Sequence, residues 1–469
     1  MSSFPSQQIS TGFICGDECP AVVVDIGTST SRFGTGGQEM PRHIFRSEVG
    51  VAESSNTVSS RSSSSSSSSS SNASKRRVGD LALRCVCSDV ETERPFSPEG
   101  QVHWDNVEAL MDHGISRCMK IASSEYSMML AESRFEDMES KKKMLELCFE
   151  KFSSPAAYMS PNASLSSFSA GRPTSFVLDF GASGVRISPL IDGYVLKNAE
   201  MKTSRGGDWL DAIVAKELET IYPNNVKPWF EADGKTYPTP RASFRNMHVK
   251  DIVKDVKRWM CFAPYIPVAP EMRCQFIYET IQLPPYELPD GTMVTHFDAL
   301  CTGPERWFSP DYFSVTKEGL RMSAMDSANQ PQQNLSDSRE KTDSKSNSYL
   351  PAHRQVVDIK NDEITLQELT MDSLMKCDVD ARKEILSNVL LVGGGSNIDG
   401  ISHRLNLELS SSIPSGMKFK INAQLPNEKQ HAAWIGGSIL SICGSFQQMW
   451  ISKQEYQEYG PNICNQRLS

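Results

Sequence analysis

Nowhere does this 469-residue chain run to the roughly 20 consecutive apolar residues that cross a bilayer, so a membrane-spanning role is not expected. Its first ten residues carry no basic side chain ahead of a long apolar run, so no secretory leader is expected either. There are only eight histidines and no His-Glu-x-x-His pair. The twelve cysteines are scattered; the nearest, Cys15/Cys19 and Cys85/Cys87, lack the spacing of a zinc site. Metalloenzyme chemistry is therefore not expected, and reduced thiols inside a cell are. A basic surplus is missing as well: 48 Lys and Arg face 57 Asp and Glu, a net charge of −9. That argues against a protein built to neutralise nucleic-acid phosphates over a broad surface.

What is present can fold. Hydrophobic residues make up 39% and charged residues 22%, which excludes a wholly disordered chain. The length suggests about three domains, or two large lobes. Two segments interrupt the globular pattern. Residues 53–77 include ten consecutive serines at 62–71 and end in Lys75-Arg76-Arg77. Such a segment cannot build a core and is expected to be a loop, with the basic triplet as its solvated end. Residues 316–358, rich in Ser, Gln, Asn and Asp, read as a long polar insertion.

Elsewhere strand-like and helix-like patterns alternate. Residues 20–25, 175–179 and 389–392 are short aliphatic runs that suit strands buried on both faces. Apolar stripes at Met144, Leu145, Cys148, Phe149 and Phe152, and at Val249, Ile252, Val253, Val256 and Met260, predict helices. The alternation implies an α/β fold.

Each of the three strands runs into a glycine-bearing turn. The first reads Asp25-Ile26-Gly27-Thr28-Ser29-Thr30-Ser31, the second Asp179-Phe180-Gly181-Ala182-Ser183-Gly184. Glycine lets the backbone turn sharply, and the exposed amides and hydroxyls make a concave anion site. An aspartate there repels phosphate, so its natural partner is a hydrated Mg²⁺. The third turn, Gly393-Gly394-Gly395, offers bare backbone to an adenosine. Any one of them reads equally as a plain connection. Together they place three turns at the carboxyl ends of strands, where α/β proteins bind ligands.

This combination resembles the superfamily of actins, sugar kinases and chaperone ATPases, and the C-terminal third narrows the resemblance to the actin family. Residues 434–440 (Trp-Ile-Gly-Gly-Ser-Ile-Leu), 446–456 (beginning Phe-Gln-Gln-Met-Trp-Ile-Ser-Lys), 375–380 and 286–291 read like actin. The phrasing at 16–18, 192–196 and 404–409 is similar to that of a nuclear type of actin relative, the actin-like subunit of chromatin remodellers and histone acetyltransferase complexes.

The resemblance implies an actin-like two-lobed fold with four subdomains and two polar insertions. Residues 1–46, 78–169 and 432–469 would form the first subdomain and 47–77 the second. Residues 170–205 and 308–431 would form the third, including insertion 316–358, and 206–307 the fourth. It implies ATP or ADP with Mg²⁺, held through water by Asp25 and Asp179. Nucleotide contacts would come from Gly27, Thr28, Ser29, Thr30, Arg32, Gly181, Lys254, Lys257, Gly393, Gly394 and Gly395. Arg32 stands where the family has a phosphate-binding lysine.

Departures from the family bear on chemistry. The glutamine that places the attacking water falls on Asn162, an aspartate on Ala182, and a histidine near the water on Arg186. Phosphoryl transfer to water is mostly positioning and charge stabilisation, so little hydrolysis is expected and no catalytic residue is assigned. Two placements stay open for Arg186: at the terminal phosphate, or facing solvent. On the adenine side Asn397, Ile398 and Gln430 replace larger or basic residues. The serine tract lies where actin's loop reaches the next subunit, so self-polymerisation is not expected. The expected role is a scaffold located in the nucleus, with some in the cytoplasm, whose partners are an amphipathic helix of a remodelling ATPase or acetyltransferase scaffold, actin, and chromatin or histones indirectly. Trp434, Ile435, Ile439, Met449, Trp450 and Tyr456 fall in the segment that would build or underlie the helix-binding cleft. The competing readings are a cytoskeletal or dynein-complex actin relative and a sugar kinase.

Overall fold

Six consecutive buried residues, Ala21–Ile26, form β1: Val22, Val24 and Ile26 enter one core, Ala21 and Val23 another, and Asp25 is paired with Arg32. In the computed structural model β1 runs antiparallel to β2 (Thr30–Thr35) and parallel to β7 (Ser127–Glu132). With β3 (His43–Arg46), β8 (Ala156–Pro161) and β16 (Ile451–Ser452) they make a six-stranded sheet, ordered β16-β8-β7-β1-β2-β3. The structure describes residues 20–52, 76–98, 100–132, 135, 137–267, 284–295, 297–309, 364–414 and 416–468. The serine tract, residues 16–18 and insertion 316–358 lie outside them.

A second sheet repeats the plan. β9 (Ser175–Phe180) turns back into β10 (Val185–Ile191) and runs parallel to β15 (Val389–Val392). The order is β11-β10-β9-β15, with β11 at Tyr194–Val195 and β12 (Met201–Thr203) also pairing with β10; β13 (Tyr286–Glu287) and β14 (Met293–Val294) pair with each other. Both sheets thus carry a hairpin whose first strand ends in Asp-x-Gly.

In chain order the helices that cover and link the sheets are α1 (Asp80–Arg84), α2 (Trp104–Asp112), α3 (Met138–Glu146), α4 (Asn162–Ser169), α5 (Gly207–Ile221), α6 (Trp229–Ala232), α7 (Ala242–Met260), α8 (Ala299–Glu305), α9 (Leu366–Met375), α10 (Val379–Ser387), α11 (Ile401–Ser412), α12 (Pro426–Ser441) and α13 (Lys453–Tyr459). The apolar stripe on α3 continues through a wider turn at Leu147–Lys151, and Met144, Leu145, Cys148, Phe149 and Phe152 are all buried. On α7, Ile252, Val253, Val256 and Met260 are buried, and the helix reaches back to Ala242 because Phe244, Met247 and His248 extend the buried face.

The sheets are joined through α4 and α12. Trp434 is fully buried against the first sheet and its indole N–H donates to the Val23 carbonyl at 3.1 Å. The neighbouring Gly436 is required by close approach, since a side chain there would collide with the Leu165 carbonyl of α4. The actin-like phrase at 434–440 is therefore a packing feature first.

On the far side, strands β4 (Val49–Ala52), β5 (Arg76–Val78) and β6 (Val90–Glu93) form a small sheet, ordered β5-β4-β6. Leu83 and Val90 from this region share a core with Phe230, Phe244 and Met247, so the small sheet packs on α6 and α7. The expected solvated loop end at 75–77 is corrected here for its two arginines, which belong to β5. Arg76 ion-pairs with Asp105 at 2.7 Å, and Arg77 donates to Cys87 Sγ at 2.8 Å. The expectation of reduced thiols needs one correction as well: Cys301, wholly buried in α8, is disulfide-bonded, because folding brings sulfurs together that no sequence spacing announces. Cys85, Cys87, Cys118, Cys148, Cys261, Cys377, Cys443 and Cys464 are free. Among the described residues no helix is long and apolar enough to cross a membrane.

Candidate functional site

The two hairpins face each other across a cavity of about 870 Å³, closed by α7 on one side and by the 393–395 turn and α12 on the other. Every residue expected to contact nucleotide or metal lines it: Asp25, Gly27, Thr28, Ser29, Thr30, Arg32, Asp179, Gly181, Lys254, Lys257, Gly393, Gly394 and Gly395. So do Asn162, Ala182, Arg186, Asn397, Ile398 and Gln430.

The turns are held by their own backbone. Gly27 N–H donates to the Thr30 carbonyl at 3.1 Å, and Gly181 N–H to the Gly184 carbonyl at 3.0 Å. Gly207, which opens α5, donates to the Gly181 carbonyl at 2.9 Å and fixes the second turn to the start of that helix. Gly393 has φ of 84°, a left-handed conformation that glycine adopts without strain, and a side chain there would strike the Asp179 carboxylate and the Phe180 carbonyl. Gly394 meets nothing within 4 Å, so its bare face is turned to the cavity.

The charged groups are ordered in pairs. Arg32 Nη1 donates to Asp25 Oδ2 at 2.7 Å while Arg32 Nε donates to His431 Nδ1 at 2.9 Å. Burial, with the Arg32 charge added, depresses the His431 pKa to about 4, so the ring is neutral at pH 7 and accepts that bond. In the second hairpin Arg186 is the register partner of Asp179 and lies 3.8 Å from Glu200. Of the two placements open to it, Arg186 takes the cleft: it lines the cavity and is about three-quarters buried. Burial raises the Asp179 pKa, Arg186 draws it back down, and the nearby Asp25 charge raises it again.

The two lysines differ. Lys254 donates to Ser29 Oγ at 3.3 Å across the cavity mouth, tying α7 to the first turn. Lys257 is already matched by Asp211 at 2.5 Å and donates to the Gly207 carbonyl at 3.0 Å. Its charge supports the second turn from behind. Arg94 links Glu48 at 3.2 Å with Asp208 at 2.6 Å, so an ion network crosses between the small sheet and α5.

The family's metal can be tested against these groups. Asp25 and Asp179 have the hard oxygen donors a hydrated Mg²⁺ takes. Asp25 is closed by Arg32 at 2.7 Å and Arg186 stands across the ladder from Asp179, so a divalent ion between the two aspartates would compete with two guanidinium groups. The donor set therefore does not present the bare carboxylate pair on which a resident Mg²⁺ depends. Among the described residues there is no cluster of three or more His, Cys, Asp or Glu suited to a metal.

Residue-by-residue reading of the sequence missed His431, which is far from Arg32 in sequence and touches it only after α12 packs on β1. It also missed the Glu48–Arg94–Asp208 network. Of the six residues assigned to the C-terminal cleft, Trp434, Trp450 and Tyr456 are buried, Ile435 is half-buried, and Ile439 and Met449 are exposed. Exposed Ile442 joins them one turn beyond Ile439.

Two similar hairpins facing one glycine-lined cavity define a two-lobed α/β protein with a central cleft. The family described as Actin matches residues 16–469, and the chain belongs to the actin family. It is similar to actin-related protein 4 of Arabidopsis thaliana, at 32% identity over 475 residues covering 96% of this chain and 99% of that protein. It is similar to the actin-related protein 4 of Oryza sativa subsp. indica at 29% over 479 residues, covering 96% and 99%. The Yarrowia lipolytica actin-related protein 4 is 27% identical over 470 residues, covering 95% of each chain.

Proposed function

We propose that this actin-related protein is a nucleotide-holding scaffold subunit of a nuclear chromatin-remodelling or histone acetyltransferase complex, with little or no hydrolysis of its own. The observation that carries the reading is a split within one cavity. The turns and cations that would grip ATP or ADP are assembled, while the three positions that would place and activate water hold Asn162, Ala182 and Arg186. Asparagine is one methylene shorter than glutamine, alanine has no polar group, and arginine cannot give up a proton in a protein. A site so built binds without turning over. Likeness to proteins named actin-related protein 4 supports the nuclear, chromatin-associated part of the reading.

The partner surface is the C-terminal cleft, in whose segment Ile439, Ile442 and Met449 are exposed while Trp434 and Trp450 are buried. An amphipathic helix from a remodelling ATPase or acetyltransferase scaffold would lay its apolar face there, with actin as a second partner and chromatin reached through the complex. The chain itself would not polymerise. Affinity purification of the tagged protein with mass spectrometry tests this directly. Recovery of remodelling or acetyltransferase subunits, lost in an Ile439→Glu/Met449→Glu variant whose thermal melt is unchanged, is the expected result. Recovery in cytoplasmic filaments would replace the reading with a cytoskeletal one.

A further inference from the structure

Asp25 and Asp179 each end the first strand of a hairpin, and each has an arginine seven positions later: Asp25–Arg32 and Asp179–Arg186. In both ladders the two residues are direct cross-strand partners. Side chains so paired stand on the same face of the sheet within reach of one another. The first pair is closed at 2.7 Å, with the side chains only 12% and 5% exposed. His431 holds Arg32 from the other side at 2.9 Å, so the guanidinium is fixed between two acceptors and cannot swing out to solvent. The second pair lies opposite, with Glu200 3.8 Å from Arg186. Both arginines line the cavity that the three glycine turns enclose.

Two guanidinium groups carry together the charge of one divalent cation. Arginine also offers several N–H donors in a plane that matches phosphate oxygens, keeps its charge at any working pH, and sheds hydration more readily than an ammonium. We infer that Arg32 and Arg186 together take the place of the divalent metal in this cleft, so that a nucleoside di- or triphosphate binds without one. The inference rests on the nucleotide-binding reading above and deepens it. In this arrangement Asp25 holds Arg32 in position, Glu200 lies beside Arg186, and the phosphates meet protein cations from both hairpins, with Lys254 at the mouth.

The experiment compares ATP binding to the full-length, nucleotide-stripped protein by titration calorimetry in Mg²⁺ buffer and in EDTA. The expected result is a Kd that differs by less than about threefold between the two, under about 0.7 kcal/mol. A larger loss in EDTA overturns the inference while leaving nucleotide binding intact. Absence of binding in both buffers overturns the nucleotide reading, and this inference with it. Replacing either arginine, as Arg32→Ala or Arg186→Ala, is expected to make binding depend on Mg²⁺ by about tenfold or more. A variant that folds, by an unchanged circular dichroism spectrum, and still binds equally in both buffers also overturns it. The wild-type comparison decides the matter even where a variant does not fold.

Discussion

Arg186 stands across the β9–β10 ladder from Asp179, as Arg32 stands across β1–β2 from Asp25. Where the family has a histidine near the attacking water, this chain has therefore built a second Asp–Arg cross-strand pair. A histidine can pass a proton at neutral pH, whereas a guanidinium can only donate hydrogen bonds and charge. On the proposed function, this exchange replaces a group for chemistry with a group for holding.

Restoring the family's residues should restore turnover. An Asn162→Gln/Ala182→Asp/Arg186→His variant is expected to release phosphate from ATP at least about tenfold faster than the native chain, since each group contributes positioning or proton transfer. A phosphate-release assay on the two proteins checks this. Equal rates would mean that hydrolysis is limited by something other than these three side chains.

The glycine turn gives a contrast between adjacent positions. Gly393→Ala forces a side chain into a left-handed backbone beside the Phe180 carbonyl, 2.6 Å from where the Cβ would sit. A cost of about 1–3 kcal/mol is expected, together with weaker nucleotide binding because the turn must shift. Gly394→Ala meets nothing within 4 Å and should leave the melting temperature nearly unchanged while reducing affinity, because the new methyl enters the cavity. Melting curves with and without ATP distinguish the two effects.

Much of this architecture was legible in the chain because it is local. Buried strands announce themselves as unbroken aliphatic runs, and β1, β9 and β15 fall within a residue of their expected bounds. The turns were legible for the same reason, since Asp-x-Gly and a glycine triplet carry their geometry in their composition. Contacts made by distant segments were not. His431 meets Arg32, Arg94 meets Asp208, and Arg76 meets Asp105 only after folding, and none of these pairs has a spacing that marks it. The basic triplet looked like a loop end because charge alone does not reveal a strand whose arginines have partners.

His431 gives a pH prediction with a definite sign. Its pKa falls from an ordinary value near 6.5 to about 4 in the folded chain, through burial first and the Arg32 charge second, with Asp25 opposing. Between those values the unfolded state binds more protons, so stability rises with pH through the window and is lost as pH drops from about 6.5 toward 4. His43, His113 and His248 are also depressed and act in the same direction. The difference between native protein and a His431→Gln variant isolates the one contribution. The variant's melting temperature should fall less steeply on acidification than the native protein's. Parallel curves would show that the ring is not held neutral.

Arg404 supplies the sharpest test of packing in the second lobe. Its side chain is wholly buried, donates to both Glu305 oxygens at 2.5 and 2.8 Å, and donates to Glu408 at 2.7 Å. It also reaches the Pro264 and Ile266 carbonyls at 3.3 Å and lies over the Phe308 ring at 4.8 Å. One cation thus fastens α11 to α8 and to the chain leaving α7. Removing it leaves the Glu305 carboxylate buried without its counter-charge, which is the expensive way to break a buried pair. Arg404→Met is therefore expected to cost about 3–5 kcal/mol, read from the urea midpoint of the second lobe. Replacing both partners, as Arg404→Met/Glu305→Met, should recover part of that loss, because no charge is then stranded in the core. A single variant that loses less than about 1 kcal/mol would show that water or Glu408 relieves Glu305, and that the lobe does not depend on this cation.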